Sequence, residues 1–277
     1  MRSLRSILVV VDPDQPDGPA LDRARLIANH NHAHLHLLIC EQRGDHSERL
    51  QTCIASLREQ GYSASGRQAW NDSLQQTISG EQQSEGCELV IKQHSPDNPL
   101  KKALLTPGDW KVLREVAAPV LLVKQARQWA GHSILAAVDV GNLDSEHQAL
   151  HSSILDYARA IAEITQGPLH VLSAHPSPML SAADPTFQLS QTLSAQYRVA
   201  CDEFQQRHGL TNEQLHVEEG AADALIPALA LRLEAAVTVI GSVARSGLSG
   251  ALIGNTAEVV LDALESDVLV LKPDTAT

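Results

Sequence analysis

The segment Ser6-Ile7-Leu8-Val9-Val10-Val11-Asp12 returns later in the chain as Ser133-Ile134-Leu135-Ala136-Ala137-Val138-Asp139. Ala33-His34-Leu35-His36-Leu37-Leu38 is echoed by Gly167-Pro168-Leu169-His170-Val171-Leu172, and Pro119-Val120-Leu121-Leu122-Val123-Lys124 by Asp267-Val268-Leu269-Val270-Leu271-Lys272. Between Glu88 and Val120 in the first copy, and Ala236 and Val268 in the second, the two align without a gap. An internal repeat of this length means one domain used twice. The copies are 1–125 and 133–277, joined by a linker at 126–132. The second copy carries an insertion around 179–187, rich in Ser, Pro and Ala, which reads as a loop.

Each copy alternates short apolar runs with helical-period segments. The runs at 7–11, 35–40, 88–92 and 119–124 lack polar alternation, so they read as strands buried on both faces, the mark of a parallel sheet. Ala20, Leu21, Ala24, Ile27 and Ala28 share one helix face, as do Leu155, Ala158, Ile161, Ala162 and Ile164 in the second copy. Strands alternating with helices give right-handed βαβ units and a doubly wound open sheet. The expected fold is α/β, with two tandem parallel five-stranded sheets and helices on both faces. The linker is too short for the two sheets to separate, so they are expected to pack together.

At 277 residues, 43% hydrophobic and 19% charged, the chain has globular composition, and 3% aromatics leave an aliphatic core. A net charge of −12 argues against nucleic acid and anionic membrane surfaces as partners. No apolar run approaches the ~18 residues of a membrane span. Cys40, Cys53, Cys87 and Cys201 form no CxxC pair and read as reduced thiols, so the expected location is the cytoplasm.

In an open α/β sheet, ligands bind beyond the carboxyl ends of the strands where strand order reverses. The segment after the fourth strand of copy two runs Gly241-Ser242-Val243-Ala244-Arg245-Ser246-Gly247-Leu248-Ser249-Gly250-Ala251-Leu252-Ile253-Gly254-Asn255-Thr256. Its glycines leave backbone amides open to an anion. Gly254-Asn255-Thr256 opens a helix expected over 257–264, whose N-terminus favours phosphate. Arg245 is the one cation of the loop. In copy one the gapless alignment sets Gln93 opposite Gly241, Pro96 opposite Ala244, Pro99 opposite Gly247 and Thr106 opposite Gly254, so that loop cannot wrap phosphate the same way.

At these residues the chain resembles the universal stress protein family, in particular its tandem, E-type branch. ATP-binding members carry G-x-x-G, nine residues, then Gly followed by Ser or Thr. Here the frame is Gly241-Ser242-Val243-Ala244, nine residues, then Gly254-Asn255. The resemblance extends to Val10-Val11-Asp12-Pro13, to Leu105-Thr106-Pro107-Gly108-Asp109-Trp110, and to Gly254-Asn255-Thr256-Ala257-Glu258. It implies the adenine-nucleotide hydrolase-like fold, two domains paired as a pseudo-dimer with the 120–124 and 268–272 edges in contact, and room for a further homodimer. It also implies a stress-response role exercised through ligand binding. The ligand implied is ATP or a related nucleotide, with Mg, in copy two. Asp139 would face base or ribose, Ser173 and Ala174 the adenine edge, and Gly241, Ala244, Arg245, Gly247, Gly254, Asn255 and Thr256 the phosphates. Ala244 adds a methyl where the family has glycine, and Asn255 replaces the hydroxyl residue. An acylated sugar nucleotide, or a ligand-independent interaction role, are the alternatives.

Other residues read more plainly. There is no G-x-S-x-G elbow and no Walker lysine, so no dedicated enzyme is indicated beyond weak ATP hydrolysis. His30, His32, His34 and His36 lie at the amino end of a strand and read as solvated rather than as a metal site. Asp12 suits turn or cap duty, and Trp110 and Trp129 suit packing at the domain junction.

Overall fold

The computed structural model describes residues 4–95, 104–142, 144–175, 187–242 and 255–273. The first half runs β1 (Ser6–Val10), α1 (Pro19–Asn31), β2 (His34–Cys40), α2 (Ser47–Glu59), β3 (Ala64–Ala69), α3 (Leu74–Ser84), β4 (Leu89–Gln93), α4 (Pro107–Glu115) and β5 (Val120–Val123). The second repeats it as β6 (Ile134–Val138), α5 (Ser145–Thr165), β7 (Leu169–His175), α6 (Phe187–His208), β8 (Leu215–Glu219), α7 (Ala222–Arg232), β9 (Val237–Gly241), α8 (Asn255–Ala263) and β10 (Asp267–Leu271). Most of the expected insertion at 179–187 lies outside the described residues, and Phe187 opens α6.

The ten strands form one sheet in the order β3-β2-β1-β4-β5-β10-β9-β6-β7-β8. Within each half every pairing is parallel, with β1 between β2 and β4, and β6 between β7 and β9. The halves therefore join edge to edge. The two edges expected to meet pair antiparallel, Val120 opposite Val270, Leu121 opposite Leu269 and Leu122 opposite Val268. Pairing removes two apolar edges that would otherwise invite aggregation.

Alternate side chains of each strand enter opposite layers. Ile7, Val9, Leu37, Leu121, Ala136, Val171 and Leu269 pack with α1, α2, α5 and α6. Leu8, Leu38, Val90, Leu122, Leu135, Leu172 and Val270 pack with α3, α4, α7 and α8. Each layer crosses the junction without a break, so the core belongs to both halves. The four cysteines are free, and burial pushes the thiols of Cys40, Cys87 and Cys201 up to about 12, 11 and 11. They sit as inert core groups.

Two lysines at equivalent positions stitch the junction. Lys124, just after β5, donates through Nζ to the carbonyls of Leu261 (2.9 Å) and Leu264 at the end of α8. Lys272, just after β10, donates to the carbonyls of Arg114 (2.8 Å) and Val116 (2.5 Å) at the end of α4. Each half thus caps the other's last helix, where open carbonyls attract a cation. Lys124→Met and Lys272→Met are each expected to cost about 1–2 kcal/mol in urea unfolding. A loss confined to one of them would contradict the symmetric role.

The histidine reading needs a correction. His36 is buried, its Nε2 2.8 Å from Glu81 Oε1 and its Nδ1 2.9 Å from Ser65 Oγ. His34 meets Ser63 and Ser65 at 2.7 Å. Helix α3 brings Glu81 from 45 positions away, a proximity that linear spacing does not display. Donor atoms of His36, Glu81 and Glu85 lie within 4.8 Å of one another. The Glu81 oxygens, however, are already taken by His36 and by the guanidinium of Arg67. The buried Glu81 carboxylate thus ties α3 to His36 of β2 and to the half-exposed Arg67 of β3.

Candidate functional site

Strand order reverses between β6 and β9, since β6 leads outward to β7 while β9 leads inward to β10. Beyond the carboxyl ends of these strands lies a cavity of about 440 Å³. One wall is apolar: Ala137, Leu172 and Ile240 from the strands, Ala222 and Ile226 from α7, Ala257 and Val260 from α8. The other is α5, which presents Leu150, Ile154, His147 and His151. Asp139 stands exposed on the rim. A hollow of about 480 Å³ also lies at the amino ends of β9 and β10, between α7, α8 and Arg127. It sits at the wrong end of a parallel sheet for a ligand site.

Of the residues expected to contact a ligand, Asp139, Ala174 and Gly241 line the cavity. The carboxylate of Asp139 accepts no hydrogen bond among the described residues, whereas its counterpart Asp12 accepts from the backbone of Asp14 (2.7 Å) and Gln15 (3.3 Å). Asp12 has turn duty and Asp139 is left facing the cavity. Ser173 lies behind the wall, fully buried. Its hydroxyl accepts from Val140 N at 3.2 Å and bonds the Tyr197 hydroxyl, which also donates to Ala174 O at 3.2 Å. Tyr197 therefore already bonds the strand-end carbonyl expected to hold an adenine edge. Ala244, Arg245, Gly247 and Gly254 lie outside the described residues; Asn255 and Thr256 open α8, their side chains outside the description.

Gly241 is bare for a reason the sequence did not separate from anion binding. A Cβ there would stand 2.6 Å from Leu150 Cδ2 and 3.1 Å from Ile154 Cδ1. The missing side chain lets α5 approach the sheet.

Sequence reasoning also missed two histidines, because helix α5 was read only for its apolar stripe. His151 is buried and accepts the Asp139 backbone N–H through Nε2 at 3.2 Å. Burial, then the neighbouring His147 and His208, hold its pKa down to about 4, so the ring is neutral. His147 differs. Its Nδ1 is 2.7 Å from Asp144 Oδ2, and Asp144 caps α5 by accepting His147 N at 2.8 Å. These two bonds hold the Asp144 carboxyl below the usual range. The remaining ring nitrogen, Nε2, has no partner among the described residues, and the side chain lines the cavity. A carboxylate beside Nδ1 favours the tautomer with its proton there, which makes Nε2 an acceptor.

Comparisons with known proteins agree with this architecture. The model of the Universal stress protein family matches residues 132–272. Universal stress protein E of Escherichia coli K12 is 31% identical over 307 aligned positions, covering 99% of this chain and 96% of that one. A solved structure of a universal stress protein from Pseudomonas aeruginosa UCBPP-PA14 is 62% identical with a TM-score of 0.91, covering 99% of this chain and 95% of that one. One from Archaeoglobus fulgidus, at 17% identity, TM-score 0.65 and coverage of 96% and 98%, shares the fold. The chain belongs to the universal stress protein family.

Proposed function

We propose that the protein acts by binding rather than by turnover, taking a nucleotide-like ligand, ATP or a relative with Mg, in the second-half cavity during a stress response. The observation that carries this reading is the position of the cavity, at the β6–β9 reversal, with a carboxylate at its rim that accepts no hydrogen bond among the described residues. Asp139 would hold ribose or base. The glycine loop through Ala244, Arg245, Gly247 and Gly254, with Asn255 and Thr256 opening α8, would hold the phosphates on a helix N-terminus. His147 Nε2 is the added polar contact. The 1–125 and 133–277 units act as one body, and only the second takes ligand.

The test is thermal stability with and without millimolar MgATP. Ligand at a hundred times its dissociation constant adds about 2.7 kcal/mol, a shift of several degrees for a chain this long. Gly247→Asp should abolish it. His147→Ala should weaken binding about fivefold, the loss of one hydrogen bond that Nε2 accepts from a hydroxyl or amino group of the ligand. An absent shift in the unaltered protein would overturn the nucleotide reading and leave an interaction role.

A second reading is favoured by one feature. Leu172, Ile226, Ile240 and Val260 make one whole wall apolar, which suits a ligand with a hydrocarbon arm, such as an acylated sugar nucleotide. Mass spectrometry of ligand extracted from the purified protein separates the two.

A further inference from the structure

The gapless alignment of the repeats can be carried onto the structure residue by residue, because β4 corresponds to β9, α4 to α8 and β5 to β10. Ile240 and Ala257, which line the second-half cavity, correspond to Lys92 and Asp109. Ser242 corresponds to His94. In the first half these polar residues meet. Lys92 Nζ donates to Asp109 Oδ1 at 2.7 Å, and His94 Nδ1 lies 2.7 Å from Asp109 Oδ2. Thr106 adds its hydroxyl at 2.8 Å and its backbone N–H at 3.1 Å, both to Oδ2. The side chains of Asp109 and His94 are 0% and 1% exposed, and that of Lys92 12%.

Part of this is helix capping, since Thr106 and Asp109 form a reciprocal capping box at the start of α4. Capping does not require Lys92 or His94. A lysine and an imidazole converging on one oxyanion at a helix N-terminus, beyond the ends of parallel strands, are the parts of an anion site.

We propose that the first half carries an anion site permanently occupied by the chain's own carboxylate, Asp109. The corner that is open and apolar in the second half is here cationic and self-filled. Repetition has therefore not given two ligand sites: one copy binds, the other carries its anion covalently. The site would accept a small carboxylate or phosphate once Asp109 is removed.

The experiment is Asp109→Ala, melted in increasing sodium formate against sodium chloride of equal ionic strength, and then in phosphate. The variant is expected to melt several degrees below the parent protein. Formate should recover at least half of that loss in a saturable way, while leaving the parent unchanged. Lys92→Met in the same background should abolish the recovery. A variant that melts like the parent, or one that formate helps no more than chloride does, overturns the proposal. Should Asp109→Ala not fold in chloride, its refolding yield from urea in formate against chloride gives the same reading, equal yields overturning it. None of these outcomes depends on what binds in the second half.

Discussion

Replacing Asp267 with alanine should cost about 3–5 kcal/mol, on the order of 10 °C in melting temperature for a chain this long. Asp267 opens β10 and is fully buried. Its Oδ2 accepts from Arg23 Nε at 2.9 Å and Trp129 Nε1 at 2.7 Å. Its Oδ1 accepts from the backbone of Lys124 at 2.8 Å and Gln125 at 3.0 Å. One carboxylate on β10 thus ties down α1 of the first half, the chain leaving β5 at Lys124 and Gln125, and Trp129 of the linker. Removing it strands four donors, one of them a guanidinium on a side chain only 4% exposed. Arg23 keeps the carbonyls of Gln125 and Arg127 and its place 5.0 Å from the Trp129 ring, but dipoles do not neutralise a buried charge.

The control is a paired replacement. Removing both charges, as in Arg23→Met with Asp267→Leu, should recover much of the loss, because the penalty comes from the orphaned cation more than from the missing bond. Urea titrations of the two single variants and the double variant measure that coupling. If Asp267→Ala alone costs under about 1 kcal/mol, the linker is anchored by something other than this carboxylate. The opposite position in the first copy is Pro119, so the anchor exists once and makes the two halves inequivalent.

The repeat made most of the architecture readable in advance. Apolar runs without alternation marked the strands buried on both faces, and the family resemblance implied the edges that pair. Strands β3 (ASGRQA) and β8 (LHVEE) carry no such run. They lie at the outer edges, half-solvated, where burial does not demand hydrophobic residues. The carboxyl ends of the strands of copy two were singled out in advance, and Asp139, Ala174 and Gly241 line the cavity there. What spacing could not supply was through-space partnership. Glu81 under His36 and Tyr197 on Ala174 each join separate elements, 45 and 23 positions apart. Asp267 and Lys272 were visible only as the ends of a repeated segment, and their roles depend on what the other half brings to meet them.

The self-filled corner of the first half should also set an acid limit on the fold. Burial by itself would raise the Asp109 carboxyl, but the His94 bond, the Lys92 charge and the Thr106 hydroxyl together hold it well below the usual carboxylate range. A carboxyl depressed in the folded state contributes stability that is complete above its unfolded value near 3.9 and is lost as pH falls toward the folded one. Asp109→Asn keeps the shape and removes the proton linkage. At pH 7 the variant should be less stable than the parent by about 3 kcal/mol. Below about pH 4 the gap should close by about 1.4 kcal/mol per pH unit, because the parent loses what the variant never had. Comparing the two by urea unfolding at pH 7, 4 and 3 cancels the titration of every other carboxylate they share. A gap that stays constant across this range would mean that Asp109 serves α4 only as a cap, through bonds that an amide can replace in part, and that Lys92 and His94 do not depend on its charge.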